Sequence, residues 1–406
     1  MTTTMVTGES RISFRRQLAV VAMALAVAPL SITRAADTIS AQQMEQIKRL
    51  GAAAVSKDGL VGLSIAVAKG DKIFSAGLGR ADVEQDVAVT PRSMFRTASI
   101  AKWFTATAAL RLVEAGKLDL DAPIQQYCPQ YPAKQWTVTT RQLLSHLGGV
   151  RHYHGANGEP RKTEEERKVL DELVAREQST QFTRYTDVIK PLDGFKGDPL
   201  LFQPGTRFIY SSLGYRLLGC VLEGAAQAPY RKLMYDLVFK PAGMSSIVED
   251  DALAITPFRV AGYTRADDGT LTRAPFRDVS ENLPAGGYLA TAEDLVRFAR
   301  AFNSGQVVRS ATRDLMIARP RLLDGSDTPF APTFLGLGPN VYYGMGVFVG
   351  SMDGEPLVMH SGRQSGASTE LLLAPQRKVA VAVMTNMNGW NGAHALALKI
   401  AEIVGK

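Results

Sequence analysis

Strand patterns occupy the two ends of this 406-residue chain and helical patterns fill its middle, an order that few architectures accommodate. Val61 to Ala68 reads as a strand, Lys69-Gly70-Asp71 as a turn, and Lys72 to Gly79 as the hairpin partner. A short amphipathic helix, Ala41 to Val55, precedes them. Strand signals return at Tyr342 to Phe348, Leu357 to His360, Glu370 to Leu373 and Val379 to Met384, before a final helical run from Ala393 to Ile403. Between the two sets, Ser99 to Ala115 is helical and closed by Gly116, and helical patterns alternate with polar loops to about residue 284. Thr163 to Glu177 is so highly charged that it reads as a solvated surface helix. The pattern predicts one antiparallel sheet assembled from both ends of the chain with a helical insertion, an α+β fold. The expected division is a sheet domain of residues 36–95 and 285–406 and an all-helical insertion of residues 96–284.

The first 35 residues belong to neither part. Arg11, Arg15 and Arg16 precede an apolar run from Leu18 to Leu30, and Thr33-Arg34-Ala35-Ala36 supplies a small-residue cleavage site. This is the order of a secretory signal cut after Ala35, and the run is shorter than the ~20 residues of a spanning helix. The chain is therefore expected in the periplasm or outside the cell, with membrane contact only through the uncleaved signal. The formal charge of +7 suggests an acidic partner until residues 1–35 are set aside. They hold four arginines and one glutamate, so the mature chain keeps +4 and nucleic acid is excluded as a partner. The two cysteines, Cys128 and Cys220, are too few for a disulfide framework. Cys220 lies in an apolar run and reads as a buried thiol; whether it pairs with Cys128 stays open.

Chemistry has few places to reside. Of five histidines only His152 and His154 are close-set, without a carboxylate at zinc-site spacing, so they read as loop histidines in solvent and no metal site is expected. There is no Gly-x-Ser-x-Gly turn, phosphate loop or dinucleotide fingerprint, and no organic cofactor is expected. What remains is Ser99-Ile100-Ala101-Lys102. On a helix the pair rises roughly 4.5 Å and shares a face. A lysine held neutral by desolvation can take the serine's proton, and a helix start favours a developing oxyanion. Alone, the same residues serve equally as a helix N-cap and a surface lysine.

The surrounding segments carry more. Val89 to Lys102 resembles the approach to the nucleophile helix in the serine β-lactamase and penicillin-binding superfamily. Leu143 to Val150, Phe202 to Tyr215, Ala285 to Thr291, Tyr343 to Val347 and His360-Ser361-Gly362 follow in that superfamily's order. Ser145 to Tyr153 and Asp198 to Phe202 look like the mitochondrial serine β-lactamase-like subgroup and its bacterial relatives. The resemblance implies a β-lactamase/transpeptidase-like fold, with Ser99 the acylated nucleophile, Lys102 its proton acceptor, and Tyr210 a phenolate-like base or proton relay. Ser212 would replace the asparagine of the Tyr-x-Asn motif, or cap a helix. His360 would replace the lysine that holds a substrate carboxylate, charged only near or below pH ~6.5. Ser361 would donate a hydrogen bond to substrate, and Gly362 would let the strand approach the acyl group. The backbone N–H groups of Ser99 and Arg363 would bind the oxyanion, with the Arg363 side chain gripping an acidic group or facing solvent. The implied activity is peptidase or esterase action on a substrate with a cleavable carbonyl. The alternatives are a true β-lactamase or D-Ala-D-Ala carboxypeptidase, and a homo-oligomeric or filamentous scaffold with a relic site.

Overall fold

Residues 379–385 alternate in a way that determines how the sheet is covered. Val379, Val381 and Val383 join one core, Ala380, Ala382 and Met384 another, and all six are buried. Both faces of that strand therefore lie under other elements. The computed structural model describes residues 38–154, 163–331 and 337–405. The expected export signal, residues 1–35, lies outside them. The strands in chain order are β1 (Gly62–Lys69), β2 (Lys72–Asp82), β3 (Val87–Ala88), β4 (Phe95–Arg96), β5 (Val248–Glu249), β6 (Tyr263–Arg265), β7 (Leu271–Arg273), β8 (Tyr288–Ala290), β9 (Tyr342–Tyr343), β10 (Phe348–Met352), β11 (Glu355–Gln364), β12 (Ala367–Ala374) and β13 (Val379–Thr385).

Eight of these form one sheet in the order β3-β2-β1-β13-β12-β11-β10-β9, with every neighbouring pair antiparallel. The N-terminal hairpin enters beside β13, with Ile65 opposite Val383, so the ends of the chain meet inside the sheet as the pattern predicts. On the valine face lie α1 (Ala41–Lys57) and the C-terminal helix Ala393–Gly405, which bury Ile47, Ala397, Ile400 and Val404. On the alanine face lies the helix Ala292–Asn303, in contact with β1 and β13. Small side chains there let a helix settle close to the sheet.

Beyond that helix lies α2 (Ala101–Glu114), buried without interruption from Ala101 to Leu110. That stretch is buried on every side because it runs through the centre of the second core. Trp103 meets Phe298 and Phe302 edge-on, with ring centroids 5.5 and 5.2 Å apart. The middle of the chain is not purely helical. β5 pairs with β8, which also pairs with β4, and β6 and β7 form a small hairpin. The short lengths of these strands leave little alternation to read in the sequence.

Cys220 is not a thiol. It forms a disulfide with Cys128, both residues being buried and their Cα atoms 5.5 Å apart. The helix Ser212–Ala226 approaches the Cys128 loop so closely that a Cβ at Gly224 would run into the Tyr127 carbonyl. Apolar packing brings the two sulfurs together, and the segments carrying them lie 92 residues apart.

Candidate active site

Local geometry around Ser99 begins with its neighbour. Ala98 has φ 45°, a left-handed conformation that a Cβ disfavours and that costs about 1–3 kcal/mol. Packing and hydrogen bonds hold it there. Ala98 is fully buried, Thr97 N donates to the Tyr288 carbonyl at 2.9 Å, and Thr369 Oγ1 donates to the Thr97 carbonyl at 3.2 Å. Gly362 of β11 packs on the same turn. A Cβ there would stand 2.6 Å from Thr97 O and 2.9 Å from Ala98 Cβ. The bare Cα therefore admits the nucleophile turn itself, which sequence reasoning had assigned to the approach of substrate. Ser99 emerges from this strained corner in one turn of 3₁₀ helix, Ala98–Ile100, partly exposed and without a capping bond.

Lys102, one turn on, is 0% exposed. Its Nζ lies 3.0 Å from Ser99 Oγ and donates to the Ala285 carbonyl at 3.1 Å. Burial, and then the Arg216 guanidinium, hold its pKa well below that of an ordinary lysine. The surface-lysine reading fails, and a buried amine that gives up its proton more readily than an ordinary lysine takes its place.

The Tyr210 ring lies 4.9 Å from Lys102 Nζ, and its hydroxyl is hydrogen-bonded to Ser99. Burial pushes this phenol up, against the smaller opposing effect of the Ser99 hydrogen bond, so Tyr210 stays protonated. The expected phenolate-like character is corrected: burial penalises the charged phenolate more than the Ser99 hydrogen bond favours it. His146, absent from the sequence-predicted site, packs tilted against Tyr210 with ring centroids 4.3 Å apart and accepts from Ser211 N through Nδ1 at 3.1 Å. Burial keeps it neutral.

Ser212 is the first residue of its helix; the cap is Ser211, whose Oγ accepts from Gly214 N. Ser212 N instead donates to His152 Nδ1 at 3.2 Å. His152 is thus no solvent histidine. Its ring packs on Tyr153, and burial followed by Lys102, Arg216 and Arg151 lowers it to about 3. The His154 backbone N–H donates to Glu177 Oε2 at 2.8 Å. One turn past Ser212, Arg216 is buried against Glu281 at 2.7 Å and donates from Nε to Asn282 Oδ1 at 3.1 Å. An arginine in an apolar helical run is the one sequence signal of this pair, and sequence reasoning does not single it out.

The third motif lies at the edge of the cavity. β10 pairs with β11 only through Met359, so beyond that residue the strand edge is unpaired on that side. His360 is 1% exposed, its Nδ1–H donating to the Ser361 carbonyl at 2.7 Å and its Nε2 accepting from the Tyr343 hydroxyl at 3.2 Å. Burial, then Lys102, lowers it to about 3, so the expected charge near pH 6.5 is absent. Ser361 donates its hydroxyl hydrogen to Glu370 Oε2 at 2.6 Å, and not to substrate as expected. Arg363 is exposed at the rim. Ser99, Tyr210, Ser212, His360, Ser361 and Arg363 all line one cavity of about 810 Å³, large enough for a short peptide or a drug-sized ester.

Residues 37–405 match the family model described as Beta-lactamase. The chain belongs to the beta-lactamase family. Within it, the human serine beta-lactamase-like protein LACTB, mitochondrial, is 30% identical over 419 residues, covering 84% of this chain and 75% of that protein. Among solved structures, the D-amino acid amidase from Ochrobactrum anthropi SV3 superposes with a TM-score of 0.70 at 22% identity, covering 89% of this chain and 98% of that one. EstCE1, a hydrolase with promiscuous acyltransferase activity, superposes with a TM-score of 0.70 at 18% identity, covering 90% and 99%. The fold is shared with these, and the family is that of beta-lactamase-like serine hydrolases.

Proposed function

We propose that this chain is an exported serine hydrolase that cleaves amide or ester bonds through an acyl-enzyme on Ser99. The observation that carries the reading is a fully buried Lys102 whose Nζ lies 3.0 Å from Ser99 Oγ and whose pKa is well below the ordinary value. In acylation the Ser99 proton passes to Lys102 as Oγ bonds to the substrate carbonyl carbon. The N–H groups of Ser99 and Arg363 take the oxyanion. Tyr210, kept protonated, gives its hydrogen to the departing amine or alcohol and is recharged from Lys102. Water then attacks the ester, giving a proton to Lys102 that passes to Ser99 Oγ as the acid departs.

Export is supported by the signal-like residues 1–35 and by a disulfide, which persists in oxidising compartments. Labelling with a fluorophosphonate and a fluorescent penicillin, in wild type and Ser99→Ala, tests the reading. Ser99-dependent phosphonate label is the expected result. Phosphonate label without penicillin label favours peptidase or esterase over penicillin-directed chemistry, and absence of both labels refutes the hydrolase.

A further inference from the structure

The unpaired edge of β11 beside Ser99 is where an extended substrate would lie, and its side chains show which chemical groups it accepts. His360 is neutral, and both its ring nitrogens are engaged, with the Ser361 carbonyl and the Tyr343 hydroxyl. Ser361 faces Glu370 across the sheet, residue for residue. Glu370 is 0% exposed, an acid in the otherwise uncharged strand β12. Its Oε2 accepts the Ser361 hydroxyl at 2.6 Å, and its Oε1 lies 3.2 Å from His394 Nδ1, on the first turn of the C-terminal helix.

The hydroxyl hydrogen is therefore committed to a buried carboxylate, and Ser361 offers the cavity only lone pairs. A substrate carboxylate placed against these two side chains would find no cation on either, no free donor, and a second carboxylate behind the serine. Turning the Ser361 hydrogen toward it would leave Glu370 with an unsatisfied buried oxygen. The permanent charge on this segment, Arg363, is exposed at the rim. A substrate group that brings its own hydrogen meets none of these penalties.

We infer that the substrate group lying against His360 and Ser361 is uncharged and donates a hydrogen bond, as a carboxamide or peptide N–H does, and that Glu370 acts as the positioning residue excluding a free carboxylate by holding the Ser361 hydrogen. The inference rests on Ser99 being the nucleophile.

Two aryl esters of N-acetylglycine test it, identical except for a carboxylate or a carboxamide meta on the phenol, with rates normalised to their hydrolysis by hydroxide. Wild type is expected to favour the carboxamide in kcat/KM by about tenfold or more, the scale of one unsatisfied buried hydrogen bond. In Glu370→Gln the His394 Nδ1–H holds the new amide oxygen, the amide nitrogen faces Ser361, and the hydroxyl hydrogen is released to the cavity. The preference then falls to within about threefold. A purely structural role for Glu370 would slow both esters equally and leave the ratio unchanged.

A wild-type ratio near or below one overturns the inference without any variant. So does an unchanged ratio in folded Glu370→Gln, or cleavage of neither ester by enzyme that takes the phosphonate on Ser99. Absence of Ser99-dependent phosphonate label would instead remove the hydrolase reading itself.

Discussion

Replacing Gly362 by alanine adds one carbon at the contact on which the nucleophile turn rests. That carbon would stand 2.4 Å from Thr369 Oγ1, 2.6 Å from Thr97 O and 2.9 Å from Ala98 Cβ. The threonine hydroxyl can rotate away, but the Thr97 carbonyl moves only with the backbone of Ala98, already held at φ 45°. Restoring ordinary van der Waals separation from the carbonyl pushes strand and turn apart by roughly 0.7–1 Å. Overpacking of this kind costs about 1–3 kcal/mol in stability. The larger effect is on chemistry, because the shift separates Ser99 from the N–H of Arg363, and a misplacement of about 1 Å costs on the order of a hundredfold in rate. The assay is the second-order rate of fluorophosphonate labelling, measured beside thermal unfolding at the same temperature. A folded Gly362→Ala that labels within about threefold of wild type would refute the account, since a contact this close cannot be relieved without moving the turn.

Labelling of Ser99 needs Lys102 unprotonated, so its rate should fall as pH drops through the lowered lysine pKa and level off well below pH 10.5. Lys102→Arg, which cannot deprotonate, should lose the labelling at every pH. No inflection near pH 6.5 should come from His360 or His152, since burial lowers both to about 3; a pH-rate profile checks this. Opening the Cys128–Cys220 bridge frees a loop with a sequence separation of 92. Chain entropy puts the loss for Cys128→Ser/Cys220→Ser at about 4–5 kcal/mol, readable in denaturant unfolding. His394 carries a raised pKa: burial lowers it, but the hydrogen bond and charge of Glu370 together outweigh burial. The stabilisation it adds is complete below the ordinary histidine pKa of ~6.5 and is lost as pH rises through the folded value. The stability gap between wild type and His394→Gln should therefore narrow from pH 6 to pH 9.

The sheet and the nucleophile helix were legible because their periodicities are long. β1, β2 and β13 run for 8, 11 and 7 residues, and Ser99-x-x-Lys102 is a local spacing that survives any tertiary arrangement. What escaped depends on partners distant in sequence. His152 has the polar neighbours of a loop histidine, and only the fold brings Tyr210 and Ser212 to it. The protonation of Tyr210 and the neutrality of His360 follow from burial, which no motif records. Ser361 was assigned a donor role because its cross-strand partner was unknown. Glu370 and Arg216 were visible only as single charges in apolar runs, and both proved to be buried and paired.

Ser99, activated by Lys102, should become covalently acylated during turnover. Intact-mass measurement during turnover of a slowly deacylating aryl ester, followed by peptide mapping, tests it most directly. A mass gain equal to the acyl group, mapped to Ser99 and absent in both Ser99→Ala and Lys102→Arg, is the predicted result. Turnover with no covalent adduct, or an adduct that persists in Ser99→Ala, would contradict it.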